Sequence, residues 1–395
     1  MQALNNLKVL DLSRYIAGPN CGMILGDMGA DVIKVESPGR GEETRLLSPK
    51  IGDHGIYTLV YNRNKRAMTL NFRSAEGQAL LRELVAKADV VIENFRPGTL
   101  EKMGCGWDTI REINERATLV RISGYGQTGP WSDKPCFDAI AQAGGGLMEL
   151  TGEKGGEPLP AGTFIIDYVT SLYACIGVMS AIEARHTTGK GQLVDLAMLD
   201  CSISLLMTAI PEFALTGREL TRCGSRDRYS TPACNFKCAD DRWVHINAGS
   251  DALFPRFARA TGMDYLLEDS RYATNAARLE RIPEVEGFVS EWTSVTPSDK
   301  VIDVMTEAGV PCARIDTIGE IFQNDQLRER GQFMKVENQA YGELTLAGIP
   351  IRLSETPGTL RHAPPVVGQH TDEVLRDWLG CDETGIRKYR ETQAV

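Results

Sequence analysis

Short, nearly continuous apolar runs punctuate the first third of the chain: LKVLDL (7–12), DVIKVE (31–36), AMTLNF (67–72), DVVIENF (89–95) and TLVRISGYG (118–126). Runs of this length predict strands. Between them the polar positions recur at helical spacing. NCGMILGDMGA, after an expected break at AGP (17–19), reads as a helix with small residues for close packing. SAEGQALLRELVAKA (74–88) reads as an amphipathic helix with Ser74 as its N-cap. Strand, helix and strand in succession predict parallel pairing through right-handed crossovers. The expected fold is therefore α/β, a Rossmann-like doubly wound parallel sheet. Such sheets bind ligands at the carboxyl ends of their strands.

Further along, a helix is expected from Asp167 to about Arg185, stopped by TTGKGQ. LVDLAML (193–199) predicts a strand and DCSISLLMTAIPEFAL a mostly apolar helix. The texture changes at TGRELTRCGSRDRYSTP (216–232), a polar linker. Residues 233–325 predict a smaller α/β unit opened by the hairpin NFKCADDRWVHINAG. The tail returns to short strands (GELTLAGIPIRLS) and a terminal amphipathic helix, as if rejoining the first domain. The expected division is 1–215 with 326–395 against 216–325.

Composition narrows the function. The 395 residues are 42% apolar and 24% charged, ordinary for a globular protein with room for two domains. A net charge of −10 argues against nucleic-acid binding by general positive charge, so a polyanionic ligand needs a local basic cluster. Asn62-Arg63-Asn64-Lys65-Arg66 is one such cluster, readable as a solvated turn or as a phosphate clamp; Arg96 and Lys102 flank a second strand-end loop. The ten cysteines show no CxxC pair, and the opening MQALNNLKVLDLS lacks the basic-then-apolar pattern of a secretory leader. Both fit reduced thiols and a cytoplasmic protein. The longest uncharged apolar stretch, Tyr168–Ile182, reads as too short and too polar to span a bilayer. The five histidines form no metal-ligand spacing, and no P-loop or GxSxG elbow is present. GYGQTG (124–129) matches GxGxxG, but Pro130, Trp131 and Pro135 follow where a dinucleotide site needs a helix.

Asp167 is the single charged residue between Pro158 and Ile182. A carboxylate in such a setting needs a partner or a chemical role. Its position before an apolar helix suits an N-cap; a catalytic acid is the other reading.

Nine segments in order, LDLSRYIAGP, GADVIKVE, NRNKRAMTLN, ENFRPGTLEKMG, ISGYGQTGP, FDAIAQAGGG, Asp167 itself, TGKGQLVDLAMLD and GQHTDEVL, resemble the class III CoA-transferases, the CaiB/BaiF, formyl-CoA transferase-like group. The resemblance implies a large Rossmann-like domain built from both chain ends, a smaller domain between them, and a homodimer of interlocked ring-like subunits. It places the catalytic aspartate on Asp167. It places coenzyme A contacts on Tyr15, Ile16, Leu70, Arg73, Asn94, Phe95, Lys102, Met103 and Phe137. CoA thioesters and small carboxylic acids are the implied substrates, with no resident cofactor, metal, nucleic acid or membrane partner. The implied reaction passes through an aspartyl anhydride and an aspartyl-CoA thioester, and the 143–146 glycine run is a candidate oxyanion site. The formyl-CoA:oxalate branch differs at Ile16, Ser37 and Leu47 and carries a glycine-rich loop that Ser225–Asn235 does not match. The racemase branch of the same fold, an alternative activity, uses a histidine where Cys136-Phe137-Asp138 stands here. A non-catalytic CoA- or nucleotide-binding protein is the third possibility.

Overall fold

A computed structural model describes residues 1–395. Six strands form its main sheet: β1 (Lys8–Asp11), β2 (Asp31–Glu36), β3 (Lys65–Thr69), β4 (Val90–Glu93), β5 (Thr118–Ser123) and β6 (Leu193–Ala197). The order across the sheet is β3-β2-β1-β4-β5-β6, and every neighbouring pair is parallel. The winding direction reverses between β1 and β4. That switch point is where a doubly wound sheet opens a crevice beyond its strand ends.

The helices that matter for the site are α1 (Ala17–Asp27), α2 (Ala75–Val85), α3 (Asp138–Gly144), α4 (Ile165–Thr188), α5 (Met198–Ser204), α6 (Ala209–Thr216) and α7 (Thr371–Leu379). Alternate strand residues feed two cores. Val9, Val32, Ile92 and Val120 pack with Ala17, Cys21 and Leu25 of α1 and with Ala174 and Val178 of α4. Leu10, Ile33, Val91 and Leu119 pack on the other face with Leu80 and Leu84 of α2 and with Leu375 and Trp378 of α7. Burial on both faces explains why the strands read as continuous apolar runs.

Three local expectations need correction. AGP is not a break: Ala17, Gly18 and Pro19 are the first turn of α1, where proline has no intrahelical N–H bond to lose. The NRNKR cluster is neither a solvated turn nor a phosphate clamp. Arg63 pairs with Asp27 at 2.7 Å, Lys65 with Asp11 at 2.7 Å, and Arg66 with Asp31 at 2.8 Å and with Glu373 and Asp377 of α7. All five residues, 62–66, are buried. Third, α4 runs 24 residues, long and apolar enough by length and composition to cross a membrane. Its inward face nonetheless packs on α1 and the sheet, and Arg185 pairs with Asp89 at 2.9 Å, as in a core helix.

The chain divides into two compact units, 1–147 with 160–215 and 327–395, and 148–159 with 216–326. The segment 148–159 thus belongs with the second unit, whereas the sequence pattern groups it with the first. In the first unit the tail ties to the sheet: His370 Nδ1 accepts from the Ala67 N–H at 3.1 Å and Trp378 Nε1 donates to Asp31 at 2.9 Å. The second unit has its own antiparallel sheet of β7 (Ala233–Lys237), β8 (Trp243–Asn247) and β9 (Cys312–Arg314), ordered β9-β8-β7. Its core gathers Phe236, Val244, Ile246, Phe254 and Phe257.

Candidate active site

A cavity of about 1070 Å³ lies in the first unit, walled by residues that follow β1, β4 and β5 together with 160–164 and Asp167. This is the switch-point crevice that the strand order calls for.

The loop after β1 is built on buried charge. Asp11 accepts from the Ser13 N–H at 3.0 Å and from the Ser13 hydroxyl. Burial pushes the Asp11 carboxyl up, but Lys65 and Lys34 together outweigh it and hold the group below the usual carboxylate range. Lys34 Nζ donates to the Ser13 carbonyl and lies 3.5 Å from Glu42. Asn94, after β4, clamps Arg14 from both sides: it accepts the Arg14 N–H at 2.7 Å and donates to the Arg14 carbonyl at 2.7 Å. These bonds hold Tyr15 at φ +62°, a left-handed conformation that costs a non-glycine residue, with its N–H on Glu42 at 3.1 Å. Gly18 then lets α1 begin against the loop, since a Cβ there would meet the Ser13 Cβ at 2.2 Å.

Asp167 is the third residue of α4, and its side chain does not cap the helix. The N-cap position is Phe164, which makes no side-chain cap bond. The capping acceptor comes from α3 instead: Asp138 Oδ1 accepts from the backbone N–H of Ile166 at 2.7 Å and of Asp167 at 3.1 Å. Burial pushes the Asp167 carboxyl up to about 7, the Asp138 charge adds to that, and the Ala17 N–H facing it opposes the rise. Ala17 belongs to the first turn of α1, whose N–H groups have no intrahelical acceptor.

Around the carboxylate the walls are aromatic. Tyr15 meets the edge of Phe137 at 5.5 Å between ring centroids, and Tyr57 meets Phe164 at 6.0 Å. Arg14, Arg96 and Lys134 supply positive charge on the same walls, with Arg14 paired to Glu43 at 3.0 Å. The arrangement offers a poorly solvated carboxylate, one backbone donor beside it and a basic, aromatic approach.

The glycine run 143–146 lies elsewhere. The N–H groups of Gly145 and Gly146 are spent on the carbonyls of Ala141 and Ala143, and none of the run lines the cavity, so it supplies no oxyanion donor. GYGQTG is a turn, with Gly126 and Gly129 at φ +84° and +93° and no helix until Asp138.

The sequence model of CoA-transferase family III matches residues 4–371. The chain belongs to CoA-transferase family III. It is 37% identical to the succinyl-CoA–D-citramalate CoA-transferase of Chloroflexus aurantiacus, over 99% of this chain and 98% of that protein. It is 33% identical to the succinyl-CoA:glutarate CoA-transferase of Homo sapiens, over 98% of this chain and 88% of that protein. A solved CaiB/BaiF family protein from Brucella suis superposes with a TM-score of 0.84 at 34% identity, covering 95% of this chain and 99% of the other.

In this family III CoA-transferase, Tyr15, Ile16, Asn94, Phe95, Phe137 and Asp167 all line the cavity. Leu70, Arg73, Lys102 and Met103 do not. Leu70 is fully buried in the core, Met103 packs against that core, and Arg73 and Lys102 are exposed on segments after β3 and β4. Sequence reading missed Asp138, Gln142 and the Ala17 N–H. The one available signal was an aspartate opening a helical segment at 138, the ordinary mark of a first helical turn.

Proposed function

We propose that this CoA-transferase works through Asp167 as a covalent nucleophile. An Asp167 carboxylate oxygen attacks the thioester carbon of a donor acyl-CoA; the C–S bond breaks, and CoA leaves as the thiolate with the bonding electrons. The thiolate then attacks the aspartyl carbon of the mixed anhydride, releasing the donor acid and leaving an aspartyl-CoA thioester. The acceptor carboxylate attacks that thioester carbon, giving a second anhydride, and the returning thiolate takes the acceptor acyl group and frees Asp167. Each step exchanges one acyl bond for another, so the thioester energy is kept provided water stays out.

The observation that carries this reading is Asp167 itself: a carboxylate in an apolar cavity wall, pushed up to about 7, with the Ala17 N–H facing it. CoA would lie along Tyr15, Ile16, Asn94, Phe95 and Phe137, with Arg73, Lys102 and Met103 further out on the same strand ends; Leu70, being buried, has only its backbone to offer. CoA enters as the substrate thioester and no resident cofactor is required. Two relatives are named for succinyl-CoA with D-citramalate and with glutarate. Their names support a succinyl-CoA donor and a small dicarboxylate acceptor for this enzyme. A homodimer is part of the proposal, supported by the apolar outer face of α4, where Leu172, Ile176 and Met179 are exposed.

The test is Asp167→Ala assayed with succinyl-CoA against a panel of dicarboxylic acids. Transfer should fall by about 10³-fold or more while calorimetric CoA affinity is retained. Hydroxylamine added during wild-type turnover should convert Asp167 to its hydroxamate, read by peptide mass spectrometry. Transfer by Asp167→Ala at more than a few per cent of wild type overturns the mechanism.

A further inference from the structure

Asp138 is almost fully buried at the start of α3, and both of its oxygens are engaged. Oδ1 accepts from the N–H groups of Ile166 and Asp167 at 2.7 and 3.1 Å. Oδ2 accepts from Gln142 Nε2, one helical turn along, and Gln142 Oε1 accepts the Ala161 N–H at 2.9 Å. Two side chains of α3 thus hold the whole approach 161–167 to the candidate nucleophile. An asparagine could hold the two α4 amides through its oxygen, but its own amide would then face the Gln142 amide, donor to donor. The two α4 amides take one acceptor oxygen and Gln142 takes the other, and the carboxylate that supplies both also sets an anion beside Asp167.

We propose that Asp138 is a positioning residue that also acts electrostatically. It caps α4 in trans so that Asp167 faces the cavity, and its negative charge drives Asp167 toward the neutral acylated state. This rests on the covalent reading of Asp167 given above. When the Asp167 oxygen bonds to the acyl carbon and the thiolate leaves with the C–S electron pair, the charge beside Asp138 disappears into the ligand. Repulsion between two anions in a dry wall is relieved at the same moment. The pair therefore favours acyl-enzyme formation and makes the free carboxylate more basic. The titratable groups facing Asp167 are Asp138 from α3, Cys136 from the loop before it, and Tyr61 from 56–61; the Ala17 N–H faces it from α1. Asp138 alone among these side chains bonds to the backbone of Asp167 itself.

Asp138→Asn removes the charge while its side-chain oxygen still accepts the two α4 amides; the bond from Gln142 Nε2 is lost with it, so Gln142→Ala, which loses that bond and the one to Ala161 but keeps the charge, is the control. The expected result is a thermal melt no lower than that of Gln142→Ala and a KM for succinyl-CoA within about twofold of that control, whose acid limb stays at the wild-type position. kcat should fall about tenfold, the hydroxylamine-trapped fraction at saturation should drop, and the acid limb of kcat/KM should move down by about one pH unit. Asp138→Ala should move the acid limb equally and lower kcat further, since the cap is lost as well; if it does not fold, Asp138→Asn carries the test. An unchanged acid limb with an unchanged trapped fraction in Asp138→Asn overturns the proposal, as does a kcat loss with no shift of the limb. Failure of the covalent reading is told apart by Asp167→Ala. If that variant is inactive and Asp138→Asn behaves as wild type, the electrostatic role alone falls.

Discussion

At the residue scale the site rests on a carboxyl held far from its ordinary titration. Asp167 is pushed up to about 7, so its anion forms around neutral pH, while in the unfolded chain it forms near ~4. A carboxyl with a raised folded value binds its proton more tightly in the native state, so ionisation opposes folding. That cost is absent at low pH, grows between about 4 and 7, and is constant above 7. Asp167→Asn removes the ionisation altogether. The variant should match wild type in stability at pH 4 and exceed it at pH 8, by on the order of 2 kcal/mol once partial solvent screening is allowed for. Urea unfolding at the two pH values reads the difference, and equal gains at both would show that Asp167 is not strained by its charge.

At the scale of elements, the candidate site depends on ion pairs that no local pattern announces. Lys65 of β3 and Asp11 of β1 pair at 2.7 Å with both side chains fully buried, and Asp11 also fixes the Ser13 turn that leads to Tyr15 and α1. Asp11→Ala would leave Lys65 and Lys34 buried beside each other without that anion. Loss of one partner of a buried pair costs about 3–5 kcal/mol. Chemical denaturation should show that loss, and the surviving folded enzyme should transfer more slowly because the loop after β1 is released. The same pair marks the boundary of what is legible in the sequence. The strands can be read because burial on both faces leaves continuous apolar runs, and Ser74 can be read because its partner, the Gly77 N–H, is three residues away. NRNKR misleads because Asp27, Asp31 and Glu373 lie far off in sequence, so a buried cluster looks like a surface one. Asp138 escapes notice for the same reason. Its bonds reach 28 and 29 residues onward, to amides that carry no side-chain signature.

At the scale of the molecule, α4 joins the candidate site to a surface that a lone chain leaves uncovered. Its first turn carries Asp167, and its outer face exposes Leu172, Tyr173, Ile176 and Met179 at helical spacing; Ile210 and Phe213 of α6 are exposed as well. Exposed apolar side chains grouped in this way mark a protein–protein contact, and self-association would also account for a helix so apolar on both sides. Wild type should therefore sediment at twice the 43.4 kDa chain mass at micromolar concentration. Ile176→Asp, at the middle of the face and 59% exposed, should shift it to the monomer while the circular dichroism stays native. A charge placed on that face would have no partner in the contact and water only in the separated chain, so the penalty falls on association and not on folding. Because the same helix presents Asp167, dissociation should lower transfer activity in step with the monomer fraction, and raising protein concentration should recover both together. Sedimentation as a monomer in wild type, or full activity in a monomeric Ile176→Asp, would separate the apolar face from the chemistry.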